Sequence, residues 1–330
     1  MTELIAELCQ NHNGSRETLE DMVKAAAESG ADYAKIQTIF ADDLTPRGRF
    51  ETGEVENNQV RKTIKRPYKP EYERLKQLEL SEDDHRFFIE VCNGHGITPL
   101  TTVFSRKQIP MVTSLPWPEN VVKVASFDCA SKPMLRELAE EFDRLLISTG
   151  GTYDDEIEET AEMLDEMGVD YSFFHCVTSY PTELEMCHLS RMEWLQQFTP
   201  TVGWSDHTFV ERDGILATKA AIALGADVIE RHFTILEPDE SKDGPVSITP
   251  ELLSELREFA DQSQNAQRET IQAELSNRGI DLEMLVGRQQ RELTHQEVLN
   301  RDYYRGRFAS YDPGTESWVY NWESEEITHE

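Results

Sequence analysis

Short apolar runs alternate with helical patterns from residue 3 to about residue 265, and this rhythm narrows the folds open to the chain more than any other feature. The runs that read as strands are Glu3–Leu8, Tyr33–Gln37, Ile97–Thr102, Val121–Ala125, Leu145–Ser148, Tyr171–Cys176, Thr201–Trp204 and Val228–Glu230. Amphipathic stretches lie between most of them. One is Arg16–Ser29, opened by the cap-like Asn13-Gly14-Ser15 and closed by Gly30; others are Asp154–Met167, stopped by Gly168, and Glu211–Leu224, stopped by Gly225. Eight such units is the count of a TIM barrel. A doubly wound open sheet is the rival, but it usually has fewer strands and gathers its ligand at one switch point. Here polar residues follow nearly every strand, and only a barrel brings all of them to one face. The expected fold is therefore α/β, a TIM (β/α)8 barrel over residues 1–268 with a C-terminal extension over 269–330.

Two segments break the rhythm. Ala41–Leu80 is a charged excursion after the second strand, rich in Arg, Lys, Pro and Tyr, and reads as a loop over the barrel mouth. The extension carries Tyr303-Tyr304-Arg305-Gly306-Arg307-Phe308 and Trp318-Val319-Tyr320-Asn321-Trp322, too aromatic for simple disorder, and is expected to dock on its own barrel or a neighbour's. The formal net charge of −31 is spread through the chain. Such an acidic coat suits a salt-rich, halophilic cytoplasm and disfavours nucleic acid and anionic membrane as partners. The start of the chain runs straight into a strand pattern and no apolar run is long enough to span a bilayer, so a cytoplasmic location is expected. The five cysteines have no CxxC spacing and read as reduced thiols packed as small hydrophobes.

The strand ends carry the chemistry. Ser205-Asp206-His207-Thr208 and Glu230-Arg231-His232-Phe233-Thr234 place imidazoles at the ends of successive strands. A lone strand-end histidine is more often structural, but two in matched settings can converge on one divalent cation. Lys35 and Lys123 each sit inside an apolar strand, where an uncompensated charge is costly. One reading pairs them with Glu7 or Glu230. The other has both ammonium groups, with the hydroxyls of Thr102, Ser126, Ser148 and Ser205, cradling a phosphate. Asp128 is a candidate general acid or base, and Thr178 and Tyr180 are expected to line the pocket. A cation beside a phosphate cradle suggests a carbonyl polarised for carbon–carbon bond formation.

Ile5-Ala6-Glu7-Leu8-Cys9-Gln10-Asn11-His12-Asn13-Gly14, Lys35-Ile36-Gln37-Thr38, Lys123-Val124-Ala125-Ser126, Ile147-Ser148-Thr149-Gly150, His175 to Thr182, Gly203 to Thr208 and Glu230 to Thr234 resemble the sialic acid synthase (N-acetylneuraminate synthase) family. The resemblance runs in order from about residue 3 to 265. It implies a barrel enzyme that joins phosphoenolpyruvate to an N-acetylated aldose such as N-acetylmannosamine, with release of phosphate. It further implies Mn2+, or Mg2+ or Co2+, on His207 and His232. Phosphoenolpyruvate would be held by Lys35, Thr102, Lys123, Ser126, Ser148, Thr178 and Ser205. Asn13, Gln37 and Tyr180 would face the sugar, and the protein would be a homodimer.

The chain departs from the family pattern in three places. Phe127 replaces a small residue before Asp128; Gly244-Pro245 is followed by Val246 where relatives carry Asp, with Asp243 just before; and the usual antifreeze-like C-terminal domain is not recognisable. Arg305 and Arg307 are candidates to replace the arginine that this domain lends to a partner's site. The expected activity is synthesis of a nonulosonic, sialic-acid-like 2-keto-3-deoxy sugar acid. The alternative, motivated by Phe127 and Val246, is a catalytically lapsed relative that binds phosphoenolpyruvate or a sugar acid as a sensing or partner subunit.

Overall fold

The computed structural model describes residues 2–56 and 60–322. Eight parallel strands close into a TIM barrel, each paired with its sequence neighbours and the first with the last. They are β1 (Glu3–Cys9), β2 (Tyr33–Thr38), β3 (Thr98–Val103), β4 (Val121–Val124), β5 (Arg144–Ser148), β6 (Asp170–Cys176), β7 (Val202–Asp206) and β8 (Val228–His232). Each expected run is a strand, with ends shifted by at most two residues.

Side chains alternate along every strand, so every second residue enters the barrel. Ile5, Tyr33, Leu100, Leu146, Phe174 and Val228 form one buried layer there, the floor of what lies above. Gly203 is required by that floor: a Cβ on it would stand 2.5 Å from the Phe174 ring. The outward residues form the larger core beneath the helices.

The first of these helices is α1 (Arg16–Glu28), whose N-cap Ser15 accepts a hydrogen bond from Thr18 N–H. Next come α2 (Glu82–His95), α3 (Ile109–Thr113), α4 (Lys132–Glu141) and α5 (Asp154–Met167), the last ended by left-handed Gly168. The segment expected as one helix over Glu211–Leu224 is two, Val210–Asp213 and Leu216–Ala223. Gly214 lies between them with φ +62° and ψ −128°, which no helix accommodates. After β8, Pro250–Ala260 covers the barrel and Gln264–Arg278 packs on Leu216–Ala223 through Lys219, which reaches Glu274 at 2.6 Å. The boundary drawn at residue 268 therefore falls inside a helix that belongs to the barrel's outer layer.

The excursion is a built structure rather than a loop. It holds a short helix (Arg49–Thr52), an antiparallel pair (Glu54–Glu56 with Val60–Thr63) and a helix (Tyr68–Leu78). The extension docks on its own barrel through the helix His295–Tyr304 and an antiparallel ribbon, Ala309–Asp312 with Ser317–Tyr320. Two small apolar cores join excursion to extension: Ile39, Ala41, Leu44, Leu75 and Phe308 form one, and Phe50, Ile64, Leu299 and Tyr303 the other. Residues 323–330 of the extension lie outside the described residues. Among the described residues no helix is long and apolar enough to cross a membrane.

Candidate active site

Above the apolar floor, the next inward residue of nearly every strand is polar. Registration aligns them: Glu7 stands opposite Lys35 on one side and His232 on the other, Thr102 opposite Lys123, and Glu230 opposite Ser205. The result is a cavity of about 320 Å³ at the C-terminal mouth. Lys35, Gln37, Thr102, Lys123, Ser126, Ser148, Tyr180, Ser205, His207 and His232 all line it.

The buried lysines are paired with carboxylates, as the first of their two readings expects. Lys35 Nζ is ion-paired with Glu7, donates to Thr102 Oγ1 at 2.8 Å and lies 3.8 Å from Glu230. Lys123 Nζ donates to Ser148 Oγ and to the Val124 carbonyl at 3.1 Å, and also lies 3.8 Å from Glu230. Ser205 Oγ donates to Glu230 Oε1 at 2.8 Å, and Gln37 Nε2 to Glu7 Oε1 at 3.0 Å. Burial works against charge on Lys35, yet Glu230 and Glu7 outweigh it and its pKa is raised. Lys123, whose one carboxylate partner among the described residues is Glu230 at 3.8 Å, is lowered by burial despite it. Glu230 is held below its ordinary value: burial opposes ionisation, but Lys123 and Lys35 overcome it. Lys35 is thus compensated by two carboxylates on the wall and Lys123 less fully by one, while both side chains line the cavity.

The two histidine rings lie 5.0 Å apart, centroid to centroid, and Tyr180 packs on His207 at 4.0 Å. Burial, then His232, Arg231 and the two lysines, push the His207 pKa well below its ordinary value, so its imidazole is neutral. His232 Nδ1 is buried with no hydrogen-bond partner among the described residues. Between these histidines the strands turn Asp206 and Arg231 outward into a buried ion pair of 2.5 Å, also held by Thr208 and Thr218. A neutral imidazole and a partnerless ring nitrogen fit a bound divalent cation.

Three predicted residues do not reach the cavity. The chain leaves β4 in a 3-10 turn, Ser126–Asp128, which aims Ser126 and Phe127 at the mouth and turns Asp128 back. Asp128 is buried against the extension, where Asn321 Nδ2 donates to it at 3.3 Å and burial pushes its carboxyl up to about 7. The role of Asp128 as an acid or base at the cation is not what this placement supplies. Asn13 is exposed, its amide donating to the Glu240 carbonyl at 2.9 Å. Thr178 is fully buried behind the lining, its carbonyl accepting from Asn300 Nδ2 at 2.7 Å.

Of the mouth, sequence reasoning named Asp243 and Arg307 but not Arg66, Arg74, Lys242 or Tyr304. Arg66 and Arg74 from the excursion, Lys242 and Asp243 from the loop after β8, and Tyr304 and Arg307 from the extension all line the cavity. Arg307 pairs with Glu71 at 2.5 Å, whereas Arg305 turns away to Glu156 and the Trp322 ring. Phe127 stacks on Tyr304 at 4.7 Å, and Val246 is a buried part of the wall. Cys9 and Cys176 also line the cavity, in contrast to Cys92, Cys129 and Cys187, which pack in the core.

The NeuB family model matches residues 22–272. Among curated proteins, N,N'-diacetyllegionaminic acid synthase of Legionella pneumophila is 34% identical over 265 residues, covering 77% of this chain and 69% of that protein. Pseudaminic acid synthase of Campylobacter jejuni is 32% identical over 247 residues, covering 74% and 68%. Among solved structures, the spore coat polysaccharide biosynthesis protein spsE of Bacillus subtilis superposes with a TM-score of 0.68 at 25% identity, covering 92% of this chain and 78% of that one.

Proposed function

This chain belongs to the NeuB family, and from that premise we propose that it condenses phosphoenolpyruvate with an N-acetylated aldose to give a nonulosonic, sialic-acid-like 2-keto-3-deoxy sugar acid and inorganic phosphate. The observation that carries the reading is the convergence of Lys35 and Lys123 on one cavity floor, beside the partnerless nitrogen of His232. Named relatives that make legionaminic and pseudaminic acids support the product class.

In this reading the two ammonium groups, with the Thr102, Ser126, Ser148 and Ser205 hydroxyls, hold the phosphate of phosphoenolpyruvate. Arg66, Arg74 and Arg307 raise the positive potential at the mouth and draw the anion in. A divalent cation, when bound near His207 and His232, supplies Lewis-acid polarisation of the aldehyde oxygen. Tyr180 and Gln37 orient the sugar so that its aldehyde carbon meets C3 of phosphoenolpyruvate. Once that carbon–carbon bond forms, water adds at C2, and the C2–O bond to phosphate breaks as the ketone forms. Glu230, ionised and 2.8 Å from the Ser205 hydroxyl, is the group we assign to take the water's proton, while the former aldehyde oxygen takes a proton to become a hydroxyl.

The lapsed-subunit reading is the alternative, and three placements favour the enzyme over it. Phe127 builds the mouth by stacking on Tyr304, Val246 packs into the wall, and Arg307 reaches the cavity from the same chain. The test is phosphate release from phosphoenolpyruvate across a panel of N-acetylated and diamino aldoses, with and without divalent metal. Release that needs both metal and one aldose is expected; binding of phosphoenolpyruvate with no release for any aldose would favour the alternative.

A further inference from the structure

The two histidines are not the only potential cation ligands at the cavity among the described residues. Cys9, His232 and Asp243 each present a ligand atom, and these three atoms all lie within 4.8 Å of one another, a group to which His207 does not belong. The three come from different segments: the end of β1, the end of β8 and the loop that follows β8. Their convergence is therefore a property of the fold rather than of local sequence.

Each is aimed there by its own device. Cys9 lies beyond a register shift between Glu7 and Cys9 in the β1–β2 pairing, with φ of +51°, a backbone conformation uncommon outside glycine. Its thiol lines the cavity and donates to Asp243 Oδ2 at 2.9 Å, a short contact for sulfur. Asp243 is fixed by its loop: Ser247 Oγ donates to its carbonyl at 2.7 Å, Asn11 Nδ2 donates to Ser247 Oγ at 3.0 Å, and Gly244 follows where a Cβ would meet the Pro238 carbonyl at 2.1 Å. His232 contributes a ring nitrogen to the group, and its Nδ1 is buried with no partner among the described residues.

We infer that Cys9, His232 and Asp243 form a thiolate-containing metal site, filled by a borderline-soft divalent ion, Zn2+, Co2+ or Fe2+, in preference to the Mn2+ or Mg2+ that a histidine-and-water site would accept. Binding breaks the Cys9 S–H bond, releases that proton to solvent and forms the sulfur–metal bond. The thiolate and the Asp243 carboxylate then carry two negative charges against the ion's two positive ones, and the imidazole binds neutral. Three protein ligands leave a position open toward the cavity, where an aldehyde oxygen could bind; only this last role rests on the synthase reading above.

The experiment uses the full chain, stripped by chelator and titrated with Co2+. The expected result is a near-ultraviolet thiolate-to-cobalt charge-transfer band that saturates at one ion per chain. Cys9→Ser should abolish the band and weaken Co2+ binding by more than the roughly 10–100-fold that changes outside the ligand shell produce. Asp243→Asn should weaken binding while retaining the band, and His207→Ala and Cys176→Ser should both retain it. Saturable Co2+ binding by the unaltered chain without the band would overturn the inference, as would a band that survives Cys9→Ser and disappears in Cys176→Ser. Absence of the band from the unaltered chain overturns the inference whether or not a variant folds, and should Cys9→Ser fail to fold, retention of the band by Cys176→Ser assigns it to Cys9. A band with no phosphate release for any aldose leaves the ligand set standing and removes the synthase reading. Undiminished release by Cys9→Ser under Mn2+ does the reverse.

Discussion

The inner wall of the cavity and its mouth are built by opposite means. Lys35, Lys123, Ser205, Glu230 and His232 sit on strands of the closed barrel, where pleat and register leave no freedom about which side chains face inward. The mouth is made by segments remote in sequence. Thr45 Oγ1 donates to the Gly306 carbonyl across 261 positions, and Arg47 donates to the Tyr303 and Arg305 carbonyls. The wall therefore couples binding to the stability of the barrel, whereas the mouth couples it to the docking of excursion on extension.

The largest effect that would sharpen this contrast is at Lys35. Lys35→Met leaves Glu7 and weakens Glu230's support in a buried setting, so a loss of roughly 3–5 kcal/mol in urea unfolding is expected together with loss of phosphoenolpyruvate binding by calorimetry. Intact stability would mean that the wall is less tightly coupled than its geometry implies. Asp128, where barrel meets extension, comes next. Its raised carboxyl holds a proton in the folded chain that the unfolded chain releases between about pH 4 and 7, so its contribution to stability falls as pH rises through that window. At 1.36 kcal/mol per pH unit, Asp128→Asn should spare the chain roughly 2 kcal/mol of loss between pH 5.5 and 7, read from unfolding curves at the two pH values. The smallest effect belongs to the mouth. Arg307→Ala should raise KM for phosphoenolpyruvate about tenfold, near 1.4 kcal/mol, with kcat little changed and a stability loss smaller than at Lys35, because Glu71 keeps Arg74 as a partner. A collapse of kcat instead would move Arg307 into the chemistry and erase the distinction.

The same contrast explains what could be read from the residues alone. A lysine between apolar neighbours in a strand, or a histidine directly after one, announces itself because the period of the strand fixes its direction. Lys35, Lys123, His207 and His232 were legible for that reason, and Cys9 was within reach, since it shares parity with Ile5 and Glu7. Beyond the strand ends the period stops. A single 3-10 turn sends Ser126 one way and Asp128 another, and Asn13 and Thr178 are likewise placed by loop geometry. The roles of Arg66, Arg74 and Arg307 depend on which remote segments pack together, and no local pattern carries that information.

The clasp between residues 41–80 and 301–322 also sets an order of events during synthesis. Translation delivers the N-terminal part of the barrel, including the excursion, long before the extension, and chains fold from the N-terminus as they emerge. A nascent chain can therefore possess its lysines, histidines and floor while its entrance still lacks Tyr304 and Arg307. The excursion meanwhile exposes the apolar residues that Leu299, Tyr303 and Phe308 later cover, making the unfinished entrance the point at which the growing chain is most open to wrong partners.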